Sequence, residues 1–303
     1  MKHTFRIVAI LLTMFLVTQL IGLFVVNHYL SPDNNLPFGL QQPEIEEPSE
    51  YYGLFTAIVL AFIIAIFLFF FLTKFRIEFV LKAWFFLVVV LALSLTIFTL
   101  TNSFEKFVLG IPLIAVIIAL PFAIVKIFGR NFLVHNFTEL LIYPGIAAVF
   151  VPLLNVYTVI ALLILISLYD MWAVWHTGIM QKMAKYQIKN LKIFSGFFVP
   201  YLSKKTRHQV KNWKKTLKKS ELKKKKVSVS FAILGGGDVV FPIITAGVML
   251  KTFGLIPALF VVLGALLGLG YLFSISEKKK FYPAMPFITG GIFIGLIVGY
   301  LLF

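Results

Sequence analysis

The chain has 303 residues, 60% of them hydrophobic and only 13% charged, with 28 Lys and Arg against 12 Asp and Glu. That is more apolar than a soluble domain of this length, and apolar stretches of about 20 residues, each long enough to cross a hydrocarbon core of about 30 Å, recur along it. There is no cysteine, which excludes disulfides, thiolate catalysis and cysteine metal sites.

The N-terminus reads Met1-Lys2-His3-Thr4-Phe5-Arg6, followed by an apolar run through Val26. The run is too long for a signal-peptide core and lacks a small-x-small exit, so it is read as a first span. Nine spans are predicted, at residues 5–27, 51–73, 79–101, 107–127, 132–151, 153–178, 227–249, 254–273 and 283–303. Pro112, Pro121 and Pro144-Gly145 interrupt the fourth and fifth, which are expected to be short, kinked or tilted. The predicted fold is an all-α, nine-helix membrane bundle. Residues 1–178 hold helices one to six, 179–226 a basic loop and 227–303 helices seven to nine.

Orientation follows from the basic residues. With the N-terminus inside, the inner segments hold 26 of the 28 Lys and Arg, sixteen of them between residues 179 and 226; only Lys106 and Lys251 fall outside. The first outer loop carries Asp33, Glu44, Glu46, Glu47 and Glu50 and no Lys or Arg. The positive-inside rule then places the N-terminus and the long loop in the cytoplasm and the C-terminus outside. The expected location is the cell membrane of a prokaryote. Runs such as Lys223-Lys224-Lys225-Lys226 are compatible with nucleic acid. The preferred reading is a topology-setting loop on anionic lipid headgroups, its apolar 194–202 segment lying in the interface, with no nucleic-acid partner.

Two aspartates stand inside predicted helices: Asp170 in the sixth span and Asp238, behind Gly235-Gly236-Gly237, in the seventh. An ionisable group at bilayer depth costs about 2.5–3.5 kcal/mol on insertion scales. Counted at 1.5 Å per residue, the two lie about 12 and 17 Å from the inner ends of consecutive helices, so packing of those helices lets them face each other. Close carboxylates share one proton. The ionised member can draw a proton from water while the other protonates or hydrogen-bonds a substrate carbonyl, with neither metal nor cofactor. The alternative is a helix–helix hydrogen bond or an ion-coupling site. The three glycines, lacking Cβ atoms, suit either close helix packing or the approach of an extended substrate backbone.

These motifs resemble the presenilin/signal peptide peptidase family of intramembrane aspartyl proteases, archaeal presenilin homologues in particular. Tyr169-Asp170 is similar to its YD motif, Gly235-Gly236-Gly237-Asp238 to its GxGD motif, and Pro283-Ala284-Met285 to its Pro-Ala-Leu motif with Met for Leu, a swap that conserves volume. A literal Pro257-Ala258-Leu259 lies at the outer end of span eight and is rejected. The resemblance implies a presenilin-like bundle, catalysis by Asp170 and Asp238, and a substrate site shaped by Pro283, Ala284 and Met285. Tyr169, Gly235, Gly236 and Gly237 are expected beside them. It further implies single-pass transmembrane substrates with external N-termini, and is compatible with a homo-oligomer.

His135 and Glu139 share a helix face at i, i+4 spacing and are expected to satisfy each other or Arg130. No second His follows them to make a zinc signature, and no His-Glu-x-x-His occurs. His176 lies about 240° round its helix from Asp170. Gly264 and Gly268, and Gly291, Gly295 and Gly299, are expected to be packing stripes. Two rivals are a secondary transporter, which should show repeated halves around its carboxylates, and a prepilin-type peptidase, which fits the Tyr169-Asp170 context and nine spans poorly.

Overall fold

The computed structural model describes residues 5–31, 34–40, 42–43, 45, 47–75, 78–129, 131–177, 193, 195–201, 230–277 and 282–302. Among these are nine α-helices: α1 (Phe5–Leu30), α2 (Glu50–Lys74), α3 (Glu78–Thr101), α4 (Leu113–Phe128), α5 (Phe132–Phe150), α6 (Val156–Trp172), α7 (Gly237–Phe253), α8 (Leu255–Ile275) and α9 (Met285–Leu302). Seven are long and apolar enough to cross a membrane. The other two are α4, with 16 residues, and α7, with 17; α6 also has 17 but is continued by a further helical turn, giving a span of Val156–His176.

Both short helices correct the expected spans. Residues 107–112 do not begin α4; they form a small antiparallel ladder of β1 (Phe107–Val108) and β2 (Ile111–Pro112). Glu105 then takes up the first turn of α4, accepting from the N–H groups of Ile114 at 2.6 Å and Ala115 at 3.1 Å. Helix α7 starts at Gly237, ten residues later than expected. Ahead of it, β4 (Ser230–Gly235) pairs antiparallel with β3 (Gly196–Tyr201). Along β4, Phe231 and Ile233 are exposed while Ala232 and Leu234 are buried, the period-two alternation of a strand. Pairing with β3 satisfies the backbone of residues that three glycines would leave as a poor helix.

Within the 194–202 segment, expected in the interface, residues 196–201 form this strand against the bundle. Phe197 is fully buried against the ring of Tyr143 in α5, and Val199 is buried too. The remainder of the 179–226 loop, apart from residues 193 and 195–201, lies outside the described residues, as do Arg130 and Lys278–Lys280.

Helix α1 sits centrally, touching α3, α5, α7 and α8, whereas α2 is peripheral. The tightest pairing joins α8 to α9. A Cβ on Gly264 would run into the Gly291 carbonyl, and one on Gly291 into that of Gly264; Gly268 and Gly295 face backbone in the same way. Without side chains the two helices approach backbone to backbone, so both stripes are packing surfaces. Helices α7 and α8 are joined through Gly254 alone, at φ +91°, a conformation side chains resist. Lys251, near the end of α7, donates to the carbonyls of Val151 at 3.3 Å and Leu154 at 2.7 Å. This lone basic residue thereby ties α7 to the α5–α6 connection. Helix α6 begins with a capping box, Asn155 and Thr158 each accepting the other's N–H at 2.9 Å.

Candidate active site

Three chain segments converge at one end of the bundle: the end of α6, the β4–α7 junction and the lead into α9. Asp170 occupies the last turn of α6 and is only 4% exposed. Its Oδ2 accepts the backbone N–H of Met285 at 3.1 Å, and the N–H of Ala284 is also directed at it. The helix then widens into a π-helical turn, Ala173–Thr177, the form that often interrupts helices at functional positions.

Asp238 is the second residue of α7, not an embedded mid-helix position. The strand delivers it to the helix N-terminus, where the first-turn N–H groups and the helix dipole favour negative charge. The Gly235 N–H is directed at its carboxylate, and Asp170 lies within electrostatic reach. The two aspartates come to the same end of the bundle because α6 ends where α7 begins.

Each sequence-selected neighbour has a distinct place. A Cβ at Gly235 would come within 3.2 Å of Asp238 Oδ2, and one at Gly236 within 2.7 Å of both the Tyr143 hydroxyl and Ser195 Oγ. A Cβ on Gly237 would meet only the Phe241 ring, at 3.7 Å. Pro283 and Ala284 form the non-helical approach to α9, which begins at Met285. Pro257 abuts Gly299 at the other end of α9. Tyr169 is 38% exposed on the outer face of α6. His176 falls in the π-helical turn.

Sequence reasoning missed several supporting groups. Ser167, one turn before Asp170, donates to Thr289 Oγ1 at 2.8 Å, and Thr289 lies one turn after Met285. The amide of Gln19, fully buried in α1, donates to the Val239 carbonyl at 3.0 Å. A lone amide midway along an apolar span was the available signal. Glu139 pairs with Lys126 of α4 as well as approaching His135 at 3.6 Å. Asn136 bonds the backbone of Phe198. The buried Tyr143 hydroxyl stands beside the Gly236 turn, within reach of Ser195 and Glu139. Among the described residues no group of three or more His, Asp or Glu could hold a metal ion.

Comparison with known proteins agrees with this arrangement. The family described as "Signal-peptide peptidase, presenilin aspartyl protease" matches residues 12–303. Two solved structures, described as a presenilin family intramembrane aspartate protease in C222 and P2 space groups, share the fold. The first has a TM-score of 0.62 at 17% identity, covering 98% of this chain and 99% of that one. The second has a TM-score of 0.60 at 18% identity, covering 97% of each. No curated protein matches the chain.

Proposed function

The chain belongs to the signal peptide peptidase/presenilin family of intramembrane aspartyl proteases, and from that premise we propose that Asp170 and Asp238 are its catalytic pair and that single-pass transmembrane helices are its substrates. Family membership sets the transporter reading aside: this is a multi-pass membrane hydrolase. The observation that carries the residue assignment is the convergence of the end of α6 with the start of α7, which puts Asp170 within electrostatic reach of Asp238, with the Met285 amide on Asp170.

In the proposed reaction the two aspartates share one proton. The ionised carboxylate takes a proton from water, and the hydroxide oxygen bonds to the scissile carbonyl carbon. The protonated carboxyl donates to the carbonyl oxygen. The tetrahedral intermediate then collapses: the C–N bond breaks, the first aspartate's proton passes to the leaving amine, and a hydroxyl of the intermediate returns its proton to the second aspartate, restoring the shared-proton pair. A helical substrate must unwind to present that carbonyl. Strand β4 supports such a step: it runs straight into Asp238, and β3 is its only strand partner among the described residues, so its second edge offers backbone groups to an extended segment. Pro283, Ala284 and Met285 flank Asp170, and Tyr169, Gly235, Gly236 and Gly237 complete the proposed substrate wall. No cofactor enters.

The orientation proposed is N-terminus and basic loop cytoplasmic, C-terminus external, with the loop on anionic headgroups. A reporter in the loop found on the outer face would reverse the sense of substrate entry.

The assay is incubation of purified protein with a single-pass substrate. Asp170→Ala and Asp238→Ala should each abolish cleavage while the protein still inserts and folds. Activity within about tenfold of wild type in either variant refutes the pair, because half of a shared-proton dyad has no substitute for its role.

A further inference from the structure

Strand β3 has two edges, and different elements hold them. Successive strand residues send their N–H and C=O groups to opposite edges. Phe197 and Val199 therefore address β4, whereas Gly196 and Phe198 address α5. On that side the strand meets side chains in place of another strand. Asn136 Nδ2 donates to Phe198 O at 2.7 Å, and Asn136 Oδ1 accepts from Phe198 N–H at 2.9 Å. His135 Nε2 lies 2.8 Å from Gly196 O. A carbonyl only accepts, so Nε2 carries the proton, and Nδ1 is left to accept from Lys126 Nζ at 3.4 Å. Lys126 is held in turn by Glu139.

The far edge of the ladder completes the path. Gly196 and Gly235 are register partners. Gly235 directs its N–H away from β3, toward the Asp238 carboxylate. From these contacts we propose that His135 and Asn136 are positioning residues of the protease: they fix the β3–β4 register and, through Gly235, the place of Asp238 against Asp170. The proposal rests on the reading of Asp238 as catalytic.

The device answers a physical need. An isolated two-stranded ladder is marginally stable, and these strands are separated by residues 202–229, too long a connection for a tight turn to set their register. A slip of two residues would carry Gly235 about 6.6 Å along β3, far beyond catalytic tolerance. The side chains of α5 supply the third row of hydrogen bonds that pins β3 to the bundle.

The test measures kcat and KM for Asn136→Ala, His135→Leu and His135→Gln, with Asp238→Ala alongside. Asn136→Ala and His135→Leu should lower kcat at least tenfold with KM changed less than threefold. His135→Gln, whose Nε2 also reaches Gly196 O as a donor, should recover most of the loss. Because the chain lacks cysteine, Phe198→Cys with Ile233→Cys, directly opposed on the ladder, can lock the register covalently. In the Asn136→Ala background the oxidised form should regain kcat to within threefold of the same cysteine pair with Asn136 intact, and reduction should remove the gain. Values of kcat within twofold of wild type for Asn136→Ala and His135→Leu, or a loss that neither His135→Gln nor the disulfide recovers, would overturn the proposal. If Asp238→Ala itself remains active, it is the catalytic assignment that fails.

Discussion

Replacing the three glycines before Asp238 one at a time by alanine should give three different outcomes, because their surroundings differ by measurable distances. Gly236→Ala is the severe case. Its Cβ would stand 2.7 Å from Ser195 Oγ and the Tyr143 hydroxyl, and 3.0 Å from Tyr143 Cε1. Ser195 is exposed and can rotate away; Tyr143 is buried and packed edge-on against Phe197, ring centroids 5.9 Å apart. Ordinary contact begins near 3.4 Å, so either Tyr143 or the turn must yield by about 0.7 Å. Overpacking of this kind costs about 1–3 kcal/mol, a fall of roughly 2–4 °C in unfolding midpoint per kcal/mol for a chain of a few hundred residues. If the turn yields, Asp238 moves with it. A misplacement of about 1 Å can cost on the order of a hundredfold in rate, so kcat should fall at least tenfold. Gly235→Ala is milder: its Cβ would press on Asp238 Oδ2 at 3.2 Å, a few tenths of an ångström too close, and should lower kcat severalfold with little change in stability. Gly237→Ala meets ordinary contact and should leave unfolding unchanged; any loss there should appear in KM, as an obstacle to substrate. The assays are thermal unfolding in detergent and steady-state cleavage of a single-pass substrate. Equal effects from all three, or a stable and fully active Gly236→Ala, would refute this account of the turn.

Three further outcomes follow. Lys126→Met should destabilise the protein by about 3–5 kcal/mol, because it leaves Glu139, 1% exposed, as a buried charge without its lysine; Lys126→Met with Glu139→Gln should cost markedly less, and equal costs by chemical unfolding would contradict the pairing. Gly291→Ala should drive a methyl into the Gly264 carbonyl and part α8 from α9, lowering stability by about 1–3 kcal/mol, while Gly290→Ala, with open space at its Cβ, should be neutral in the same thermal measurement. The pH–rate profile should be bell-shaped and become monotonic in Asp170→Asn or Asp238→Asn if residual turnover is measurable. At low pH both carboxyls are protonated and no base remains; at high pH both are ionised and no acid remains.

Membrane character, the nine apolar segments and the small-residue faces of α8 and α9 were legible in local composition. Bilayer insertion reads the length and apolarity of a local segment, and close helix approach reads only the absence of a Cβ; neither depends on distant residues. The convergence of Asp170 and Asp238 was likewise legible as spacing, whereas the approach of Pro283-Ala284-Met285 was legible only through the resemblance to the family's Pro-Ala-Leu motif. What the tertiary structure alone decided depends on partners remote in sequence. Residues 230–235 are a strand because residues 196–201 lie beside them, although an apolar run entering a bilayer suggests a helix. Glu139 found Lys126 because the end of α4 packs against the first turns of α5. The Met285 amide reached Asp170 because α9 begins two residues after Pro283. Asp238 stands at a helix N-terminus because a ladder closed by α5 delivers it there, and no local propensity encodes a contact between α5 and a strand some sixty residues away.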